Sequence, residues 1–242
     1  MIFFKKGIAI IHIMKNIAFI SLGLESHQNA EYLVKSANKY CADFKIIQIS
    51  RKIDQKINGV DHKFEYDFKG NSLMVDKLKI LSLVFNEFGS LFFLDSDMMI
   101  TKSLDGISEQ LNNYDLIFTS RKSNFNISDT FQNIKFPEFT NKTINDVMPF
   151  NAGFIGINSF SAIKYIEETC YKLPKRFHFW YGDQYSQKIT YDSKQFNILV
   201  EDYKYNNAIK RLDQFDKNIF VYHFKGRFKS LMKSFYDSYI NV

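Results

Sequence analysis

The chain has 242 residues, of which 45% are hydrophobic and 17% aromatic, so it can bury a full core and is not a disordered polypeptide. Its three prolines and ten glycines leave little room for a flexible linker, which favours one compact domain. The net charge of +6 is uneven, because eight basic and two acidic residues between 204 and 233 carry the whole excess. Such a segment suits a phosphate-bearing ligand, an anionic membrane surface or nucleic acid, or it is a solvated basic face.

The first 13 residues form two apolar patches separated by Lys5 and Lys6, without a small-residue cleavage site. The apolar stretch 7–14 is too short to span a bilayer and only weakly resembles a signal peptide. We interpret 1–13 as an N-terminal extension or a mis-assigned start, with the domain running from 14 to 242; a genuine extra strand is the alternative. Cys41 and Cys170 lack metal-ligand spacing, so we expect buried, reduced thiols in a cytoplasmic protein.

Short apolar runs alternate with segments of helical spacing along the chain. The predicted strands lie at 17–22, 44–49, 60–66, 91–94, 114–120, 154–157 and 219–222, and the predicted helices at 29–40, capped by Ser26 or Asn29, and from a cap at Asn71 or Ser72 to 88. This order predicts an α/β fold with right-handed crossovers and a mostly parallel central sheet. The polar, poorly periodic stretch 121–149 predicts a long connection that folds over a substrate.

The apolar strand 91–94 is followed directly by Asp95-Ser96-Asp97. Ligands of open parallel sheets bind beyond the carboxyl ends of the strands, which is where this turn lies. Carboxylates leaving a buried strand need a cation or hydrogen bonds, and Mg²⁺ or Mn²⁺ prefers such oxygen ligands, completed by substrate phosphates. Because chance alone gives about one Asp-x-Asp pair in this composition, its position is what argues for a metal. The alternative is a strand-end pair that caps the next helix.

A second polar string, His223, Gly226 and Lys229 at three-residue spacing, follows the predicted strand 219–222. The histidine can give a metal its nitrogen ligand, Gly226 lets backbone approach a diphosphate, and Lys229 can neutralise phosphate charge as a nucleotide departs. Apolar residues then recur near helical spacing at Phe224, Phe228, Leu231, Phe235 and Tyr239. That spacing favours a basic aromatic tail, about 224–242, that faces either the core or a membrane, and it argues against nucleic-acid binding.

Four motifs, in this order, resemble the family-eight glycosyltransferases of GT-A fold, the group of glycogenin and the lipopolysaccharide galactosyl- or glucosyltransferases. They are Lys77 in the helix before the aspartate turn, Phe93-Leu94-Asp95-Ser96-Asp97, Phe150-Asn151-Ala152-Gly153-Phe154-Ile155-Gly156-Ile157-Asn158, and His223-x-x-Gly226-x-x-Lys229. They span roughly 16 to 230, and the ordered set is much more specific than any one motif. The fold that the resemblance implies is a single Rossmann-like GT-A domain.

The resemblance also implies an activity, which is retaining transfer of a hexose from a UDP-sugar to the hydroxyl of a glycan or glycolipid in surface glycan or lipopolysaccharide synthesis. Mn²⁺ or Mg²⁺ would be held by Asp95, Asp97 and His223. The implied nucleotide-sugar contacts are Ser21, Lys77, Asp95, Ser96, Asp97, Asn151, Ala152, Gly153, Gly226 and Lys229. The implied catalytic residues are Asp183, Gln184 and Asn151. For Asp183 and Gln184, the alternative is a polar loop with a helix N-cap.

Two features depart from the family pattern. The stretch 21–25 is only a loose match for its nucleotide-contacting loop, and Ser230-Leu231 replaces the usual Pro-Trp after the closing lysine. A nucleotidyltransferase is one rival class, but it should carry a glycine-rich phosphate loop after the first strand, where only Gly23 is found. A non-catalytic relative that binds glycans or nucleotide-sugars is the other, and the three intact metal ligands argue against it. A membrane-attached tail would place the enzyme at the inner face of the membrane.

Overall fold

The structure is a computed structural model that describes residues 15–68 and 73–241. The interpretation of 1–13 and the helix cap expected at Asn71 or Ser72 lie outside these residues. The strands are β1 Lys15–Ile20, β2 Phe44–Ser50, β3 His62–Glu65, β4 Leu91–Leu94, β5 Met98–Ile100, β6 Leu116–Ser120, β7 Thr130–Phe131, β8 Ile134–Lys135, β9 Phe150–Ile157, β10 Ile198–Glu201, β11 Asn207–Ala208 and β12 Val221–His223. The α-helices are α1 Gly23–Tyr40, α2 Leu73–Phe88, α3 Asp105–Leu111, α4 Ile144–Val147, α5 Phe160–Lys172, α6 Arg176–Phe179, α7 Gly182–Ser193 and α8 Met232–Phe235.

The central sheet has seven strands in the order β10-β6-β9-β4-β1-β2-β3. Strand β9 runs antiparallel to both of its neighbours, β4 and β6, and the remaining neighbours pair in parallel. The expected α/β class with a mostly parallel sheet is therefore confirmed.

Two apolar layers cover the faces of this sheet, and β4 shows why its sequence suits that position. Alternate side chains of a strand point to opposite faces. Phe92 and Leu94 pack into the layer beneath α1, whereas Leu91 and Phe93 pack into the layer beneath α2 and α5. An unbroken apolar run is what a strand buried on both faces requires.

A second sheet has three strands in the order β11-β12-β5. Strand β5 begins directly after the Asp95–Asp97 turn and pairs antiparallel with β12, so that His223 lies opposite Met98. This pairing brings the C-terminal part of the chain to the carboxyl edge of the central sheet.

Several predicted boundaries are wrong, among them those of α1, β9 and β12. Helix α1 begins at Gly23, its N-cap is Leu22 without a side-chain hydrogen bond, and Asn29 is buried inside the helix. Ser26 instead contacts the Ser96 hydroxyl at 3.0 Å, so a tertiary contact rather than a cap holds the first turn. Strand β9 begins at 150 rather than 154, because cross-strand bonds accommodate its polar residues, and β12 occupies 221–223 rather than 219–222.

The connection 121–149 has a small core of its own. It contains the hairpin β7–β8, a 3₁₀ turn at Pro137–Phe139 and helix α4. Phe136 and Phe139 stack at 5.2 Å between ring centroids, and both pack edge-on against Phe177. Aromatic packing therefore orders a stretch that has no regular sequence period; its expected role over a substrate stays a prediction.

The C-terminal tail faces the core. Phe224, Phe235 and Ile240 are fully buried in a cluster with Tyr222, and Leu231 and Tyr239 pack against it. Of the two orientations expected for this amphipathic segment, the core-facing one is confirmed. Within the described part of the chain, no helix has the length and hydropathy needed to cross a bilayer.

We expect Phe235→Ala to lower the free energy of unfolding by about 3–5 kcal/mol, because removing a fully buried ring leaves a cavity among Tyr222, Phe224 and Tyr239. Urea denaturation followed by fluorescence measures this change. The neighbouring Ser234 is exposed, so Ser234→Ala should shift stability by no more than about 0.5 kcal/mol. Equal midpoints for the two variants would contradict the core-facing tail.

Candidate active site

The aspartate turn and the histidine meet because of strand register. The backbone N–H of Asp95 donates to the carbonyl of Gly153 at 2.8 Å, which ties the turn to β9. The carbonyl of Asp97 accepts from the N–H of Phe224 at 2.9 Å, which ties it to the end of β12. His223, the last residue of β12, therefore lies directly beside both aspartates.

Asp95, Asp97 and His223 offer three ligand atoms that lie within 4.8 Å of one another. The His223 Nε2 atom is 3.1 Å from an Asp97 oxygen and 3.7 Å from an Asp95 oxygen. Asp97 and His223 are buried, and Asp95 is half-buried at the mouth of the group. Two carboxylates and an imidazole at this spacing are a donor set that suits Mn²⁺ or Mg²⁺.

Hydrogen bonds orient the His223 ring. Its Nδ1 atom lies 2.9 Å from the Asn206 side-chain oxygen, which also accepts from the Asn151 amide at 2.9 Å. The Asn206 amide nitrogen in turn donates to the Asn151 carbonyl at 2.9 Å, so both ends of the Asn206 amide are assigned by their partners. The His223 Nδ1 atom therefore donates to Asn206, and the Nε2 atom faces the aspartates, where a bound metal would take its lone pair.

Gly153 makes room for this group. A Cβ atom at this position would lie 2.6 Å from His223 Cε1, 2.8 Å from His223 Nδ1 and 2.9 Å from an Asp95 oxygen. Any side chain would therefore push the histidine and the aspartate out of place. The glycine is required by the close approach of these two groups, and that requirement supports a shaped cation site.

Lys77 of helix α2 is buried between two carboxylates. Its ammonium group donates to Asp183 at 3.0 Å and to the Ala152 carbonyl at 2.9 Å, and it lies 3.4 Å from Asp95. Burial acts to lower the pKa of Lys77, but Asp95 and Asp183 outweigh it and hold the pKa above its ordinary value. Lys77 is therefore a permanent cation that joins the aspartate turn to helix α7.

Asp97 has its own cationic neighbours. One of its oxygens faces His223, and the other is 3.5 Å from the Lys229 ammonium group. Burial acts to raise the pKa of Asp97, but His223 and Lys229 outweigh it and hold the pKa below its ordinary range. The carboxylate is thus ionised and ready to bind a cation at neutral pH.

Asp183 and Gln184 form the first turn of helix α7. Asp183 accepts from Lys77 through one oxygen and from the Gln184 backbone N–H at 2.8 Å through the other. The Gln184 side-chain oxygen accepts from the Arg121 guanidinium. The residue before the helix, Tyr181, adopts the left-handed conformation with φ 68°, and its ring packs against Phe136 of the 121–149 connection. This connection therefore supports the end of α7 that faces the aspartates.

These groups line one cleft of about 460 Å³. Of the residues predicted from sequence, it brings together Lys77, Asp95, Asp97, Asn151, Ala152, Gly153, Asp183, Gln184, His223, Gly226 and Lys229. Ser21 and Ser96 do not line it: Ser21 is buried and its backbone N–H donates to the Ile49 carbonyl, and Ser96 turns towards Ser26. Gly226 adopts φ +56°, a conformation that favours glycine, with open space beside it.

Three functional residues escaped the sequence analysis. Asn206 orients His223, Arg121 binds Gln184, and the Lys225 ammonium group donates to the Asn151 side chain at 2.8 Å. Burial lowers the pKa of Arg121 to about 10 and that of Lys225 to about 8, so both stay largely protonated at pH 7. Only Lys225 had a sequence signal, since it lies within the His223–Lys229 string.

Comparison with known proteins supports the fold. The crystal structure of a glycosyltransferase involved in the glycosylation of the major capsid of PBCV-1 is similar, with a TM-score of 0.60 and 14% sequence identity over 91% of this chain and 99% of that chain. At this identity the likeness shows a GT-A-like glycosyltransferase fold. No family model matches the chain, and no curated protein matches it.

We expect Asn206→Ala to weaken Mn²⁺ binding by about 10- to 100-fold, the usual effect of removing the group that orients a ligating histidine. Isothermal titration of the full chain with Mn²⁺ measures the dissociation constant. Asn218→Ala removes an exposed amide and is the matched control. Equal affinities of Asn206→Ala and the wild type would contradict the role of Asn206 in orienting His223.

We expect Gly153→Ala to weaken Mn²⁺ binding by about tenfold or more, because the added methyl group displaces two ligands from a site that tolerates only small shifts. Gly106→Ala in helix α3 meets no atom within 4 Å and should leave both metal affinity and thermal stability intact. Isothermal titration with Mn²⁺ and thermal denaturation are carried out on both variants. If Gly153→Ala bound Mn²⁺ as tightly as the wild type, the claim that a Cβ atom at position 153 displaces His223 and Asp95 would be refuted.

Proposed function

We propose that this chain is a metal-dependent glycosyltransferase that transfers a hexose from a UDP-sugar to an acceptor hydroxyl. The observation that carries the proposal is the convergence of Asp95, Asp97 and His223 in a cleft that also holds Lys77 and Lys229. The structural neighbour, a glycosyltransferase that takes part in capsid glycosylation, supports sugar transfer as the reaction class.

The donor diphosphate binds at the aspartate turn in this proposal. A bound Mn²⁺ or Mg²⁺ would coordinate the diphosphate oxygens and offset the negative charge that grows on them as the sugar leaves. Lys229, which is one-third exposed beside Asp97, would bind the same oxygens. Lys77 keeps Asp95 and Asp183 in fixed positions. A preorganised cation of this kind stabilises the transition state more than the ground state.

The sugar binds between β9 and helix α7. Asp183 accepts hydrogen bonds from donor hydroxyls, and Asn151 and Gln184 line the pocket around the anomeric carbon. The bond from that carbon to the β-phosphate oxygen breaks with its electron pair, and a bond to the acceptor oxygen forms on the same face. The acceptor proton passes to the departing phosphate oxygen, so no enzymic nucleophile is needed and configuration is retained.

The class of acceptor in this proposal is taken from the family-eight resemblance. It is a glycan or glycolipid of surface glycan or lipopolysaccharide synthesis.

One observation argues against a nucleotidyltransferase. Strand β1 ends at Ile20 and helix α1 begins at Gly23, so the turn between them is too short for a glycine-rich phosphate loop.

We expect Asp95→Ala and Asp97→Ala each to lower Mn²⁺-dependent UDP-sugar hydrolysis by about 10²-fold or more, the usual effect of removing a preorganised electrostatic group. Release of UDP from UDP-galactose, UDP-glucose and UDP-N-acetylhexosamines measures the activity and ranks the donors. Circular dichroism checks the fold.

The control is Asp213→Ala, which removes an exposed carboxylate on the surface. Unchanged turnover in either site variant would refute the metal assignment. If the folded wild-type protein binds UDP but does not hydrolyse any of the UDP-sugars, the result would favour the non-catalytic relative instead.

A further inference from the structure

A second groove opens beside the donor cleft and has a different charge pattern. It has a volume of about 410 Å³, within the usual range for small-molecule sites. Four cationic side chains line it, with no aspartate or glutamate among the lining residues: Arg121, Lys122, Lys210 and Lys225. We call it the basic groove.

The cations of the basic groove lack carboxylate partners. Arg121 donates to the Met148 carbonyl and to Gln184, Lys225 donates to Asn151, and Lys122 lies over the Tyr203 ring at 4.9 Å. Among residues 15–68 and 73–241, no carboxylate oxygen lies within 4.0 Å of these four groups. Asp183 partly offsets the charge of Arg121 and Lys225, whereas Lys122 and Lys210 have no carboxylate nearby in the described chain. The exposed charge of these two lysines on a concave surface attracts anions.

The groove adjoins the cleft at its sugar end. Asn151 and Lys225 line both cavities. Arg121 reaches from the groove to Gln184, and Lys225 reaches to Asn151, the two residues that flank the anomeric carbon in the proposed function. A molecule in the basic groove would therefore lie next to the transferred sugar.

We propose that the basic groove is the acceptor site and that the acceptor is a sugar carrying an anionic group, a phosphate or a carboxylate; this inference rests on the glycosyl transfer proposed above. The anionic group binds the lysines of the groove, which places a neighbouring hydroxyl of the same acceptor towards Asn151. Charge-assisted hydrogen bonds to phosphate or carboxylate oxygens are stronger than those to neutral groups, so this contact selects the acceptor.

The uncharged lining suits a sugar better than a nucleic acid. Ser123, Asn207 and Gln214 supply hydroxyl and amide groups, and Phe125 presents a half-exposed ring. Single-stranded nucleic acids bind along a groove with several stacking rings in succession. Among the described residues that line the basic groove, Phe125 is the only aromatic one.

The test compares three sugars that differ in charge, namely glucose, glucose 6-phosphate and glucuronate. The full chain is saturated with Mn²⁺ and UDP so that the donor cleft is occupied, and dissociation constants are measured by titration at constant ionic strength. We expect at least one anionic sugar to bind about tenfold or more tightly than glucose, the size expected from one charge-assisted hydrogen bond. Comparing the dissociation constants of glucose 6-phosphate and glucuronate shows whether phosphate or carboxylate is preferred.

Lys122→Ala/Lys210→Ala removes the two exposed cations and should reduce the preference for the anionic sugar by about tenfold. Lys122→Arg/Lys210→Arg should retain the preference, because the charge stays. Lys45→Ala/Lys52→Ala removes the same charge from exposed positions around β2, which three strands separate from β6, and should also retain it.

Three results would overturn the inference: equal binding of charged and neutral sugars, a charge preference that survives Lys122→Ala/Lys210→Ala, or tighter binding of a single-stranded oligonucleotide that displaces the sugars. The two proposals fail separately. UDP-sugar turnover without an anion preference refutes the acceptor site, whereas an anion preference without any UDP-sugar turnover refutes the transfer reaction.

Discussion

Three carboxylates converge at the carboxyl edge of the central sheet, and their mutual repulsion must be neutralised inside the fold. Lys77 lies between Asp95 and Asp183 and balances both, while His223 and Lys229 face Asp97. Removing one member of such a buried set leaves the others uncompensated, which costs more than the lost contact itself. The position of α2, the aspartate turn and the start of α7 all depend on this charge balance.

The lysines around the two cavities differ in whether they have carboxylate partners. In the cleft, Lys77 and Lys229 are paired with carboxylates, whereas in the basic groove Lys122 and Lys210 have no carboxylate partner among the described residues. Paired cations shape a site, and unpaired ones remain available to a ligand. Asn151 and Lys225 line both cavities, and under the proposals above they would lie between the donor and the acceptor.

Much of the sheet could be predicted because the signal is local. The run 91–94 is apolar throughout and is followed by charge, which marks both the buried strand and its exit. The sequence pattern was a poor guide where long-range contacts, rather than local spacing, determine the structure. The first four residues of β9 include Asn151, whose polar groups are satisfied by Asn206, and the 121–149 connection is ordered by Phe136 and its aromatic neighbours.

The sequence alone determined the chemistry of the site: two carboxylates in a turn after a buried strand, a glycine at 153, and a histidine and lysine in a closing string. Only the tertiary structure decided how these groups are held. Lys77 and Asp183 are 106 residues apart, and the Asn151–Asn206 pair that orients the histidine spans 55. Local spacing cannot specify such pairs, because their contact is set by strand order and register across the sheet.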